Sequence, residues 1–209
     1  YTRLMLFGGG ARIDLTFVRA ATLAAIAAGE PSQLILDKDG LLPSAAGSPD
    51  PGTGTPAAGA HGQDSQAFAR CCNEFYWVAP YVAKGLCRTQ LSYARHHLDC
   101  ILRGELIRML GWRSRLRCGH RGNIGLAGKF ADRFLEPAEV PLWNAVFQGA
   151  SIGETWDALG ATLSLFRGFA TEVAAAEPGC EFPHRSAEAV EELIRSMRVK
   201  GGSWIRFCV

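Results

Sequence analysis

Four side chains with chemistry to offer recur at helical spacing in this 209-residue chain: Glu74, Trp77, Tyr81 and Lys84. At about 3.6 residues per turn they fall on one helix face. Together they present a carboxylate, an indole, a phenol and an ammonium group. A carboxylate beside aromatic rings suits a cationic, hydroxyl-rich small molecule. Glu74 could pair with a guanidinium through two hydrogen bonds, or take a proton as a general base, and spacing alone does not separate the two. Asn73 could orient Glu74 or donate to a hydroxyl, and Lys84 could reach phosphates. The competing reading is plain packing. Aromatic residues at this spacing are usually core, and a Glu and a Lys on one helix are usually solvated.

The elements that must hold this face can be read from the pattern. Phe75, Val78, Val82 and Leu86 form an apolar stripe on the same helix, able to bury against a neighbour. Ser65 is a suitable N-cap, and the helix should run to about Leu86. Pro80 inside it predicts a kink or a close turn. Upstream, residues 4–7 and 12–18 read as a hairpin around Gly8-Gly9-Gly10. In its second strand Ile13, Leu15 and Phe17 alternate with Arg12, Asp14 and Thr16, so Asp14 lies off the apolar face. A short helix over 19–29 and a third strand at 34–36 follow, with a turn at 37–40. Residues 43–64 are rich in Pro, Gly, Ala, Ser and Thr and read as a linker holding a domain boundary. Further helices are expected over 89–112, 126–135, 137–148, 151–177 and 187–199. Residues 113–123 read as a basic loop with its arginines solvated.

Other candidates are weaker. Gly128-Lys129 resembles a phosphate cradle at a helix start but lacks the full phosphate-loop pattern, so it reads as structural. His96 and His97 are adjacent, point apart on a helix and make no metal pair.

Composition narrows the class. Half the residues are apolar, and the net charge of +2 argues against a dedicated nucleic-acid binder, which would carry a basic stripe. The apolar run at 20–29 is too short to span a membrane. Seven cysteines sit at no zinc spacing. They read as reduced thiols, so the expected location is cytoplasmic.

The run Cys71-Cys72-Asn73-Glu74-Phe75-Tyr76-Trp77-Val78 through Tyr81-Val82-Ala83-Lys84-Gly85-Leu86 resembles the aminoglycoside 6-adenylyltransferase (streptomycin adenylyltransferase) family, departing from it mainly at Tyr76. Four further segments agree in order. They are Arg12-Ile13-Asp14-Leu15-Thr16, Leu36-Asp37-Lys38-Asp39-Gly40, Gly128-Lys129 with Arg133-Phe134-Leu135, and Trp156-Asp157-Ala158-Leu159 with Leu165-Phe166-Arg167. The family's G-S-R and D-x-D motifs have no counterpart here, so the sequence is expected to be the C-terminal part of a longer enzyme. The final stretch, 201–209, matches nothing in the family.

The resemblance implies an α+β fold. Residues 1–42 would be the C-terminal part of a nucleotidyltransferase sheet, 43–64 a linker, 65–200 a helical bundle that binds substrate, and 201–209 a tail. It implies transfer of AMP from ATP to a streptomycin hydroxyl, with Mg²⁺ as the metal. Asp14 would be a catalytic carboxylate and metal ligand. Glu74 would be the second catalytic residue, with Asn73, Glu74, Trp77 and Tyr81 on the aminoglycoside and Lys38 and Lys84 on the nucleotide. The expected partners are an aminoglycoside and ATP, with no nucleic acid and no membrane, and the oligomeric state is left open. The other readings are a catalytically silent remnant, a nucleotidyltransferase with another acceptor, and a helical partner protein.

Overall fold

The structure is a computed structural model that describes residues 2–6, 12–23, 34–41 and 65–201. The chain divides by its internal contacts into two units, Tyr1–Ala60 and His61–Val209. In the first unit, strands β1 (Thr2–Leu6) and β2 (Arg12–Thr16) pair antiparallel. Their register sets Met5 opposite Ile13 and Leu4 opposite Asp14. The glycine turn expected between them lies outside the described residues, as do most of the helix expected over 19–29, the linker at 43–64 and nearly all of the tail. Residues 20–23 are helical, and the Arg19 carbonyl accepts from the Thr22 N–H and from its hydroxyl. The third strand expected at 34–36 is not formed: the segment has no ladder partner among the described residues and ends in a turn at Gly40, where φ is +61°. Asp37 Oδ1 closes that turn by accepting from the Leu41 N–H at 3.1 Å.

The second unit is helical. Helix α1 (Ser65–Cys87) carries buried residues at three- and four-residue intervals, among them Phe68, Cys72, Phe75, Val78, Val82 and Leu86. That periodicity makes it amphipathic, and α6 (His184–Lys200) covers part of its buried side. Pro80 is tolerated, since the helix continues through it to Cys87 instead of turning. Packing of the buried face outweighs the missing backbone hydrogen bond. The end of α1 is a Schellman closure: Gln90 N–H reaches the Gly85 carbonyl at 2.8 Å and Thr89 N–H the Leu86 carbonyl at 3.1 Å. Thr89 takes the left-handed position, at φ +57°.

The chain then runs through α2 (Leu91–His96), a π-helical turn at His97–Leu102 and α3 (Arg103–Cys118). In that turn the Arg103 N–H bonds to the Leu98 carbonyl, five residues back. This helix outruns the expected end at residue 112, because Arg113 is a core residue and not a loop cation. Residues 126–128 and 131–134 form 3₁₀ turns where one helix was expected. Gly125, Ala127 and Gly128 all have positive φ there and break the α-helical path. Helices α4 (Val140–Val146) and α5 (Ile152–Ala176) complete the bundle, with α5 packed on α3 and on α4. A capping box starts α5: Ser151 Oγ accepts from the Glu154 N–H, while Glu154 accepts from the Ser151 hydroxyl and the Ala150 N–H.

Candidate active-site face

The candidate residues fall into two groups, one in each unit. Asp14 sits mid-strand in β2, across from Leu4. Lys38 is exposed in the turn after the extended segment. The other group lies along α1. Asn73 and Glu74 are exposed, Trp77 is 65% exposed, and Tyr81 and Lys84 are half-buried. The adjoining stripe, Phe75, Val78, Val82 and Leu86, is buried. An indole left two-thirds exposed, on a helix otherwise well covered, is the feature of this face that packing does not account for.

Neighbouring helices fix that face. Lys84 Nζ stands 5.8 Å from the centre of the Tyr81 ring. The Tyr81 ring also meets the His97 ring edge-on at 5.7 Å, at the start of the π-helical turn. His97 Nδ1 is 2.9 Å from the Tyr93 carbonyl, which can only accept, so Nδ1 carries the proton. On the buried side, Tyr76 donates to Glu191 Oε1 at 3.2 Å. Glu191 also accepts from Arg167 Nε at 3.0 Å and forms an ion pair with its Nη2 at 3.0 Å. Phe75 stacks on Phe166 with ring centres 3.6 Å apart, and Tyr76 meets Phe166 and Phe182 edge-on. The rotation of α1 about its axis is therefore set by α5 and α6, and Glu74 and Trp77 are held outward. Burial, then the Glu191 charge, pushes the Tyr76 phenol well above its ordinary range, so it stays a donor.

The cysteines beside Glu74 are inert. Burial raises the Cys72 thiol to about 12 and pushes Cys71 higher still. Cys71 Sγ donates to the Glu105 carbonyl at 3.7 Å.

Sequence reasoning missed the ionic brace at the far end of α3. Arg113 is 0% exposed. Its Nε donates to Glu172 and its Nη1 to Glu139, each at 2.9 Å, while the plane lies over Phe169 at 4.4 Å. Its Nη2 lies 2.8 Å from Glu139 but off the line of a good hydrogen bond. Arg117 joins Glu172 through two nitrogens and reaches Glu136 with the third. The spacing Arg113 to Arg117 is i, i+4 and marks one helix face, a signal hidden by the glycines that follow. A second clamp ties α4 down. Asp99 pairs with Arg95 and Arg103 at 2.9 Å, and those arginines donate to the Gln148 and Val146 carbonyls at 2.9 Å.

The fold, a strand pair in one unit and a helical bundle in the other, is similar to that of a solved structure. That structure is the crystal structure of an aminoglycoside 6-adenyltransferase from Bacillus subtilis, with a TM-score of 0.59 at 22% identity, over 94% of this chain and 70% of that one. The likeness shows the fold. The chain belongs to the streptomycin adenylyltransferase family, whose model matches residues 1–197. It is 27% identical over 175 residues to an aminoglycoside 6-adenylyltransferase of Staphylococcus aureus, over 83% of this chain and 60% of that protein. It is 30% identical over 180 residues to one of Campylobacter jejuni, over 83% of this chain and 59% of that protein. The chain thus spans about three-fifths of the length of these curated relatives.

Proposed function

We propose that this chain supplies the acceptor-binding helices, and part of the nucleotidyltransferase sheet, of an enzyme that moves AMP from ATP to a hydroxyl of streptomycin. The observation that best supports this reading is the outward face of α1. Glu74 and Trp77 stand exposed there while Tyr76, one position before Trp77, is locked inward by Glu191. Trp77 and Tyr81 would lie against the sugar rings and cationic groups. Glu74 and Asn73 would take the antibiotic's donors, and Glu74 would accept the proton as the hydroxyl oxygen attacks the α-phosphorus and pyrophosphate leaves. Lys38 and Lys84 would offset phosphate charge.

The family's chemistry calls for a divalent metal, taken here as Mg²⁺, with Asp14 as one ligand. A magnesium site needs several oxygens. Among the described residues no group of three or more His, Cys, Asp or Glu could hold a metal ion. These residues alone do not make the site. Among them also, no helix is long and apolar enough to cross a membrane. The free thiols at Cys71, Cys72, Cys87, Cys100, Cys118 and Cys180 fit a reducing cytoplasm.

The test is to incubate the intact-length enzyme that carries this chain with Mg-ATP and streptomycin and weigh the antibiotic by mass spectrometry. An AMP adduct that disappears in Asp14→Asn is expected. An equal adduct from Asp14→Asn contradicts the role given to that carboxylate. Antibiotic binding with no adduct at all favours the catalytically silent reading.

A further inference from the structure

We infer that Lys129 and Arg133, gathered on the ring of Phe130, form a subsite for a polyphosphate chain. The inference rests on the adenylyl-transfer reading only for the source of that polyphosphate. Most arginines of the helical unit are neutralised: Arg95, Arg103, Arg108, Arg113, Arg117, Arg167, Arg195 and Arg198 all pair with carboxylates. Lys129 and Arg133 pair with no carboxylate among the described residues, although Asp132 lies in the same turn. Instead Lys129 Nζ stands 4.7 Å, and the Arg133 guanidinium carbon 4.5 Å, from the centre of one phenyl ring. The two charges therefore lie within about 9 Å of each other, around one Debye length at physiological salt. Both side chains are exposed, so their remaining donors face water.

Two like charges gathered on one ring repel, and an anion that meets both removes the repulsion. A pyrophosphate or triphosphate chain, with charged oxygens along its length, can offer one to each cation at once.

The backbone here is built to hold this arrangement. Gly125, at φ +73°, lies against Phe130 and Lys129 so closely that a Cβ would come 2.9 Å from the ring and 3.0 Å from Lys129 Cγ. The Phe130 N–H is tied to the Ile124 carbonyl at 2.9 Å, and the Gly125 N–H to Asn123 Oδ1 at 2.8 Å. Ala127 holds a left-handed φ of +53°, a conformation that disfavours a side chain. The cradle is thus a turn that aims two side chains, not the helix start that the Gly-Lys pair suggests.

The experiment is calorimetric titration of pyrophosphate into the chain at low salt, repeated with ATP. The parent is expected to bind, and Lys129→Gln and Arg133→Gln are each expected to weaken binding about tenfold, the loss of one charge-assisted contact. Lys129→Arg keeps the charge and should keep the binding, which guards against a misfolded Gln variant. ATP that competes with pyrophosphate identifies a nucleotide tail as the occupant; pyrophosphate binding without ATP competition identifies the free anion. Absence of pyrophosphate binding, or equal binding by both Gln variants, overturns the inference. If streptomycin still titrates in that case, the acceptor reading stands alone. If pyrophosphate binding follows the prediction and streptomycin does not titrate, the acceptor reading fails instead.

Discussion

Glu74 and Tyr76 are two positions apart on α1 and point to opposite sides of it. Tyr76 is 5% exposed and anchored by Glu191, whereas Glu74 reaches solvent beside Trp77. Substitutions should therefore separate structure from binding. Tyr76→Phe removes one hydrogen bond and leaves Glu191 with Arg167, so it should destabilise by about 1 kcal/mol, read as a lower melting temperature, with antibiotic affinity nearly unchanged. Trp77→Ala should do the reverse, because an exposed ring stabilises little by burial. Its melting temperature should hold while streptomycin affinity drops about tenfold, a loss typical of an aromatic contact. Equal affinity in Trp77→Ala would remove the indole from the substrate face. The residue types and their 3.6-residue spacing were readable from sequence here. The inward anchor was not, because Glu191 lies 115 positions away and no local pattern announces it.

At the scale of elements, helix identity was legible wherever a hydrophobic period ran long, and ends were legible only where a cap was written locally. Helix α5 opens on Ser151-Ile152-Gly153-Glu154 and forms nearly where the pattern places it. Helix α3 runs past its expected end because Arg113, polar by type, is buried among Glu139, Glu172 and Phe169. Such tertiary pairing cannot be read from a window of neighbours. The 3₁₀ turns at 126–134 replace a helix because three positive-φ residues interrupt it. The close of α1 supports a prediction of the opposite sign from most mutations. Thr89 is a β-branched residue in the left-handed position of a Schellman closure, at φ +57°. Thr89→Gly should stabilise the chain by about 1 kcal/mol, seen as a higher denaturant midpoint. Gly85→Ala should destabilise it by about 1–3 kcal/mol, since the new Cβ would lie 3.0 Å from Tyr93 and 3.1 Å from Ala94.

At the scale of the molecule, the helical unit is braced by ion pairs that respond to acid. Burial raises the Glu172 carboxyl, but Arg117 and Arg113 more than offset this and its pKa is lowered. A lowered folded pKa means that the stabilisation is present above the ordinary carboxylate pKa of about 4.3 and is lost as pH falls through the folded value. Melting temperature should therefore fall on acidification through and below that range. The double substitution Glu139→Gln and Glu172→Gln should flatten this dependence. It should also lower stability at neutral pH by about 3–5 kcal/mol, because it leaves the buried Arg113 charge unpaired. An unchanged acid slope would show that the brace does not carry it. Acceptor binding by the face that the aromatic anchors hold in place is the heart of the proposed function. Its most direct test is calorimetric titration of streptomycin into the parent chain and into Glu74→Gln, with and without Mg-ATP. The account predicts saturable binding by the parent and clearly weaker binding by Glu74→Gln. Equal binding by the two proteins, or no binding by either, would contradict it.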